Sequence, residues 1–236
     1  MRLARLLCMA ILKELAPDLY EVDPPSKFVG HRMTVARLPG AQGVWIHSPV
    51  AFDEALWAEV DALSPPGEPR HLIIPSRTHD LHLKEWMERI PAATTYAPPA
   101  LQRAHPDWDV GQTLTPDFHA PWSDLLPHVC LMGATRVSEV VFLHVPTKTL
   151  VLVDCVFNMD LSTKPLLTRL FLKLDGAAGG VSTTRLFRFM VKDKPAFRAS
   201  VAEVLAWDFE RVLLGHGTVI DDPAGVTEVR AALQSY

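Results

Sequence analysis

The chain alternates short β-branched runs with longer segments whose apolar residues recur at helical spacing. The runs predict strands and the longer segments predict helices, separated by turn signals such as Pro65-Pro66-Gly67. The predicted strands cover residues 19–22, 33–38, 44–47, 71–75, 93–96, 137–145, 149–153 and 211–214. The predicted helices cover residues 51–63, 82–90, 162–174, 196–206 and 223–234. This order of strands and helices, which then repeats, indicates two sheets covered on the outside by helices.

No linker or repeat divides the chain, so we expect residues 1–236 to form a single domain, with residues 1–15 as an N-terminal extension. The apolar start is interrupted by Arg5 and runs into Lys13-Glu14, which favours neither a signal peptide nor a membrane span. Residues 97–127 are rich in Pro and His and weakly periodic. We expect this segment to border a substrate groove.

Composition and charge narrow the functional classes. The chain is 48% hydrophobic and 21% charged, as in globular proteins, and its net charge of −4 comes without a basic block. We therefore expect no nucleic acid as partner. Since no apolar segment is long enough to span a bilayer, we expect no membrane partner either, and the expected partner is a small-molecule substrate. The scattered cysteines Cys8, Cys130 and Cys155 favour a reducing, cytoplasmic location.

Polar side chains that bind metals follow three of the predicted strands. His79 and His82 come after the strand at 71–75, Asp154 after 149–153, and His216 after 211–214. Loops at strand ends commonly carry active sites, because the scaffold fixes the backbone while the loop presents the side chain. Gly215 on one side of His216 and a second glycine on the other predict a tight turn with close backbone approach. A carboxylate and neutral imidazoles suit zinc or iron.

This order of strands and polar residues resembles the metallo-β-lactamase superfamily. The resemblance implies a four-layer αββα sandwich, an α/β fold with a metal site along one edge. When the final histidine of the superfamily signature His-x-His-x-Asp-His is aligned with His82, its other three ligand positions are occupied by Arg77, His79 and Leu81. Ala134 stands where a further ligand histidine is usual, whereas Asp154 and His216 match the later ligands.

The resemblance thus implies one metal instead of the usual pair. The retained set is His82, Asp154 and His216, with His79 nearby. Three ligands and a water suffice for one catalytic zinc, and iron suits the same ligands. The positive charge of Arg77 disfavours a second metal.

Residues 32–38, 44–49, 139–144 and 149–154 resemble more closely a family known as domain of unknown function 4336. The similarity runs from about residue 15 to residue 220. It implies an altered metal signature and no particular shared substrate. In this alignment Asp80 is a second candidate to reach the metal, in place of Leu81.

We derive two main hypotheses. In the first, the protein is a hydrolase of an ester, lactone or phosphoester that uses one divalent metal, most simply zinc, and an activated water. Asp154 or Asp80 orients that water or accepts its proton, and Arg77 binds an anionic substrate group. In the second, the protein is a metal-free pseudoenzyme that binds a ligand or another protein in the same groove. Redox chemistry at a single iron is a third possibility.

Two other side chains are interpreted from the same pattern. His47, at the end of its predicted strand, is expected to be structural. Glu139 is expected either to replace a lost ligand or to hold Arg136.

Overall fold

Two β-sheets face each other in the computed structural model of the protein, which describes residues 12–177 and 179–236. Helices cover the outer faces of both sheets, so the chain is an α/β protein with the predicted four-layer αββα architecture. The strands are β1 (Lys13–Ala16), β2 (Leu19–Val22), β3 (Met33–Arg37), β4 (Val44–His47), β5 (Arg70–Ile73), β6 (Thr94–Ala97), β7 (Gln112–Thr113), β8 (His128–Cys130), β9 (Val140–His144), β10 (Thr149–Leu152), β11 (Phe157–Met159), β12 (Gly180–Ser182) and β13 (Arg211–Leu214). The helices are α1 (Glu54–Asp61), α2 (Leu83–Arg89), α3 (Pro99–Ala104), α4 (Leu166–Asp175), α5 (Arg185–Met190), α6 (Lys194–Leu205) and α7 (Pro223–Gln234).

The larger sheet runs in chain order from β1 to β7, antiparallel as far as β4 and parallel beyond it. The smaller sheet has the order β13-β10-β9-β8. Its β10 and β13 are parallel, with Leu152 opposite Leu214. Because parallel neighbours end at the same edge of a sheet, the residues that follow these two strands emerge side by side.

Alternate side chains of each strand enter different core clusters, as the pleat requires. In β4, Val44 and Ile46 pack toward α1 and α2, whereas Trp45 points into the space between the sheets. In β10, Leu150 and Leu152 pack toward α5, α6 and α7, whereas Val151 joins Trp45 between the sheets. This alternation produces two outer cores and one central core, which makes the sandwich four layers deep.

Most predicted elements are found, with shifted ends. The strand predicted from residue 137 begins at Val140, because Val137 and Ser138 donate backbone hydrogen bonds to Ala134 in a turn. The helix predicted from residue 162 begins at Leu166, directly after Pro165. Weak periodicity in residues 97–127 hid the short elements α3 and β7.

Part of the predicted N-terminal extension is not separate from the sheet. Residues 13–16 form β1, which pairs with β2. The remainder of that prediction, residues 1–11, lies outside the described residues. Among the helices that the structure describes, none has the length and apolar character of a membrane span.

Candidate metal centre

Three polar side chains meet at one edge of the sandwich, each placed by the end of a strand. His79 closes a short 3-10 turn (Arg77–His79) after β5 of the larger sheet. Asp154 follows β10 and His216 follows β13, the parallel neighbours of the smaller sheet. Each offers a ligand atom, and these atoms lie within 4.8 Å of one another. His79 and His216 are buried, and Asp154 is mostly buried.

The two separations from Asp154 are close to those between ligands of a tetrahedral metal. Asp154 Oδ1 lies 3.2 Å from His216 Nε2 and 3.4 Å from His79 Nε2. Two ligand atoms that each lie about 2.0–2.2 Å from a tetrahedral zinc are roughly 3.3–3.6 Å apart. The donor set of two imidazoles and one carboxylate, in this spacing, therefore suits zinc or iron.

Polar partners hold each of the three side chains from behind. His216 Nδ1 lies 3.0 Å from the carbonyl oxygen of Gly30, which can only accept, so Nδ1 donates there and Nε2 is the nitrogen that faces Asp154 and a metal position. Asp154 Oδ2 accepts hydrogen bonds from the hydroxyls of Ser76 and Thr78. His79 Nδ1 lies 2.7 Å from Ser48 Oγ. Such partners orient metal-binding histidines and carboxylates in known metal sites.

Electrostatics keep Asp154 ionised. Burial raises the pKa of its carboxyl, but the imidazoles of His79 and His216 outweigh that effect and hold the pKa well below its usual value. At neutral pH the side chain is therefore an anion, as a metal ligand must be.

The turn around His216 depends on its two glycines. A Cβ at Gly215 would lie 2.9 Å from His79 Cε1, and a Cβ at Gly217 would lie 1.9 Å from the carbonyl oxygen of Asn158. Gly217 also has φ +98°, which disfavours other residues. The tight turn predicted from the sequence is thus present, and both glycines are required by close contacts.

Arg32 clamps the same turn. Its backbone N–H donates to Gly215 O at 3.0 Å, and its guanidinium donates to Leu214 O and Gly217 O, both at 2.6 Å. Glu21 and Asp23 each place a carboxylate oxygen 2.8 Å from this buried guanidinium. The clamp fixes the backbone on both sides of His216, and no motif in the sequence indicated it.

No sequence motif indicated a role for Ser48 or His31 at this site either. Ser48 is fully buried, and its φ of 54° is a strained conformation for a residue other than glycine. Its hydroxyl lies between His79 Nδ1 and His31 Nε2, 3.0 Å from the latter. The His31 ring is tilted against that of His79, with centroids 4.6 Å apart. Burial and the neighbouring imidazoles of His79, His216 and His82 lower the pKa of His31 to about 3, so it is neutral at pH 7.

The ligand set expected from the sequence needs one exchange. That set gave the leading place to His82, whereas the structure groups His79 with Asp154 and His216. His82 stands at the N-terminal cap of α2, where its half-buried ring meets His31 edge-on at 5.9 Å. Burial lowers the pKa of His82, so it stays neutral beside the cluster.

Asp80 does not reach this cluster. Its Oδ2 lies 2.7 Å from His105 Nε2, and the His105 ring stacks on Trp108. The Asp80 carboxylate thus binds His105 at the end of α3 and is not among the three side chains that offer converging ligand atoms.

Arg77 is exposed and lines a cavity of about 440 Å³. Arg103 and Arg136 line the same cavity. The predicted anion-binding residue, which opens the turn that ends at His79, therefore belongs to a group of three guanidinium-bearing side chains around one cavity.

Glu139 lies behind Asp154 and not beside Arg136. Its Oε1 accepts hydrogen bonds from the backbone amides of Val153 and Asp154, at 2.8 and 3.1 Å. Burial and the charge of Asp154 raise the pKa of Glu139 to about 8, although those amides oppose the shift. Glu139 is therefore protonated at neutral pH and supports the backbone that presents Asp154.

Two other positions account for the altered signature. Ala134, where a ligand histidine is usual in the resembling superfamily, is buried in the apolar core under α5 and α6. His47 is also buried, stacked on Trp45 with ring centroids 5.0 Å apart, and burial holds its pKa well below the usual value. Its structural role agrees with the expectation from the sequence.

The four-layer sandwich with a His/Asp/His cluster at its strand ends defines a protein of the metallo-β-lactamase fold. The chain is similar to the DIM-1 metallo-β-lactamase (14% identity, 96% of this chain and 97% of that one, TM-score 0.62). It is also similar to a metallo-β-lactamase from Pontibacter korlensis (12% identity, 96% and 100% coverage, TM-score 0.63). Rubredoxin oxygen:oxidoreductase from Desulfovibrio gigas matches with 12% identity, 96% and 61% coverage and a TM-score of 0.62. At these identities the likeness establishes the fold alone.

Within this class the chain belongs to the DUF4336 family, a domain of unknown function, whose model matches residues 26–199. No curated protein matches the chain.

Proposed function

We propose that the protein is a metal-dependent hydrolase that binds one divalent ion through His79, Asp154 and His216. One observation carries the proposal. Three ligand atoms lie within 4.8 Å of one another, and each of the three side chains also contacts a polar partner on the side away from the cluster. A hydrogen-bonded surface cluster would not require this support on every side.

A bound zinc or iron lowers the pKa of a coordinated water toward about 7 and polarises a scissile carbonyl or phosphoryl group. The protein's own contribution is to keep Asp154 anionic and to hold His216 Nδ1 on the Gly30 carbonyl oxygen, so that Nε2 is the nitrogen available to a metal. His82, neutral and outside the ligand group, is our candidate for the group that accepts the water's proton.

The substrate that we infer carries an anionic group. Arg77, Arg103 and Arg136 line one cavity beside the turn of His79. Guanidinium groups bind phosphate and carboxylate through paired hydrogen bonds. Among the ester, lactone and phosphoester substrates considered, this favours a phosphoester or an ester that also bears a carboxylate.

Elemental analysis of protein purified without added metal tests the ligand assignment. We expect about one equivalent of zinc or iron in the wild type and less than a tenth in His79→Ala and His216→Ala. His119→Ala is the matched control, because His119 is exposed and lies outside the cluster. His82→Ala should keep the ion, and loss of the ion from that variant alone would restore the sequence-based set.

Hydrolysis assays test the reaction and the substrate class. Arg77→Ala should raise KM about tenfold or more for an aryl phosphoester and leave KM for a neutral aryl ester unchanged. A full metal content without hydrolysis of either substrate class would contradict the hydrolase proposal.

A metal-free binding protein is the second candidate. It is favoured because Arg77, Leu81 and Ala134 stand at positions where the resembling superfamily has metal ligands. It is also favoured by the hydrogen bond between His216 and Asp154, which holds these side chains together without an ion. Wild-type protein with less than a tenth of an equivalent of metal, and no gain in melting temperature on adding Zn²⁺ or Fe²⁺, would support this candidate.

A further inference from the structure

Two neighbouring helices expose a continuous row of large apolar side chains. In α4, Leu166 and Leu167 are 76% and 81% exposed, and in α5 Phe189 is 70% exposed. We call this surface the α4–α5 face, and it comprises Leu166, Leu167, Leu170, Leu174, Leu186 and Phe189. Soluble domains seldom expose so many large apolar groups together unless the surface binds something.

The two helices form one surface because they are joined at their ends. The Leu186 backbone N–H donates to Asp175 Oδ1 at 2.8 Å, and Arg185 Nη1 donates to Leu174 O at 3.1 Å. Phe171 of α4 extends the surface to Phe28, with ring centroids 5.5 Å apart. The exposed side chains therefore belong to a defined arrangement and are not scattered.

The distribution along α4 is that of a helix lying at an interface. At 3.6 residues per turn, its exposed apolar positions occupy an arc of about 140°. Leu172, on the other side, is buried against Phe157 and Met159. Arg169 and Lys173 fall beside the apolar arc, and both are exposed. Interfacial helices place an apolar arc in the acyl region and flanking cations at the headgroups in this way.

Charge indicates which partner this surface fits. Residues 164–194 contain seven Lys or Arg and two Asp, whereas the whole chain has a net charge of −4. Two copies of so basic a surface repel each other when they meet face to face. A negatively charged lipid surface instead attracts the cations and accepts the apolar side chains.

We propose that the α4–α5 face binds the surface of an anionic lipid bilayer. The described helices are too short and too polar to cross it, so the chain lies on the membrane by this face. The expectation of no membrane partner rested on the absence of a long apolar segment, which excludes a span but not a surface contact.

The face lies one layer of side chains from the metal centre. The Phe157 ring stacks on His216 with centroids 4.8 Å apart, and Phe157 shares a core cluster with Leu172. A chain bound through α4 therefore holds the His79, Asp154 and His216 cluster close to the lipid surface. Membrane binding itself does not require a metal, so the two proposals fail independently.

Vesicle sedimentation with the full chain tests the proposal. The wild type should pellet with vesicles of phosphatidylcholine and phosphatidylglycerol at 3:1, remain in the supernatant with pure phosphatidylcholine, and be released at 0.5 M NaCl. Leu167→Ser combined with Phe189→Ser should weaken partitioning more than tenfold, because each buried apolar side chain contributes about tenfold or more. Val145→Ser is the matched control, since Val145 is exposed at the β9–β10 turn and outside the face.

A second pair of variants tests the charge. Arg169→Gln combined with Lys173→Gln should weaken binding to the anionic vesicles at least tenfold, whereas Arg37→Gln, an exposed change elsewhere, should not.

Three results would overturn the proposal. The first is a wild type that stays in the supernatant with anionic vesicles. The second is a dimer in sedimentation velocity that Leu167→Ser dissociates, which would make a second copy the occupant. The third is vesicle binding that survives the Leu167/Phe189 changes but is lost when residues 1–11 are removed.

Discussion

Gly215 lies so close to His79 that a Cβ at position 215 would fall 2.9 Å from His79 Cε1. The strand end that carries one histidine thus has its backbone pressed against the ring of another, 136 positions earlier in the chain. The candidate metal centre is therefore so closely packed that a single added methyl group would displace one of its side chains.

Gly215→Ala should therefore lower the affinity for the metal strongly, with a smaller effect on the free energy of unfolding. The added methyl group forces the His79 ring or the Val153 backbone to move, and misplaced ligands reduce metal affinity by about 10–100-fold. Competition with a fluorescent chelator measures that affinity. Gly111→Ala is the control, because a Cβ there meets nothing closer than 3.5 Å. Equal affinities in the two variants would show that His79 is not a ligand.

Ser48→Ala should reduce metal affinity by a similar factor of about 10–100, because it removes the hydroxyl between His79 and His31. Ser48→Gly should show the same loss of affinity with a smaller loss of stability, since glycine relieves the strain at φ 54°. Ser138→Ala provides a close control. Ser138 also has a positive φ, 50°, but its hydroxyl bonds only Thr135 O. Metal affinity that tracks stability across all three variants would contradict a specific role for Ser48.

Much of the candidate site could be predicted from the sequence where the signal is local. Asp154 and His216 lie two residues beyond the ends of buried apolar strands, where the strand fixes the position of the loop that carries them. The choice between His79 and His82 was not local. It depends on a 3-10 turn that ends at His79 and leaves His82 at the cap of α2. The sequence does not show where this turn ends, so it does not show which of the two histidines joins Asp154 and His216.

The supporting residues were invisible for a different reason. Arg32, His31 and Ser48 act through contacts with residues distant in sequence: Arg32 donates to Leu214 O, 182 positions away, and Ser48 contacts His79, 31 positions away. No periodicity encodes such pairs. The exposed apolar face of α4 was hidden as well, because an amphipathic pattern does not state which side faces the core.

Arg32→Met should lower the free energy of unfolding by about 3–5 kcal/mol, because it leaves the buried Glu21 carboxylate without its guanidinium. Urea denaturation measures the loss. Arg37→Met is the control and should cost at most about 1 kcal/mol, since its pair with Asp18 spans 3.5 Å between exposed groups.

Arg32→Lys separates the effect of the charge from that of the guanidinium geometry. It keeps the positive charge but has one nitrogen in place of the two that donate separately to Leu214 O and Gly217 O, so it should fold while binding metal more weakly. Wild-type metal affinity in Arg32→Lys would show that the clamp does not position His216.

In metal-free protein, prepared with EDTA, Glu139 should make the free energy of unfolding decrease as the pH rises from 6.5 to 8. Its folded pKa is raised to about 8 from a usual value near 4.5, so the folded chain keeps a proton that the unfolded chain has released. Proton uptake by the folded state means that stability decreases as pH rises, by up to about 1.4 kcal/mol per pH unit. Below pH 6.5 the buried imidazoles of His31 and His47 act in the opposite direction, because their lowered pKa values make the unfolded chain bind the extra protons. Stability in EDTA should therefore be greatest near pH 6–7. In Glu139→Gln the decrease above pH 6.5 should disappear, while the decrease below it remains. If the urea midpoint of the wild type stays constant from pH 6.5 to 8, Glu139 is ionised in the folded protein. The carboxyl group that accepts the Asp154 backbone hydrogen bond would then be an anion and not a neutral acid.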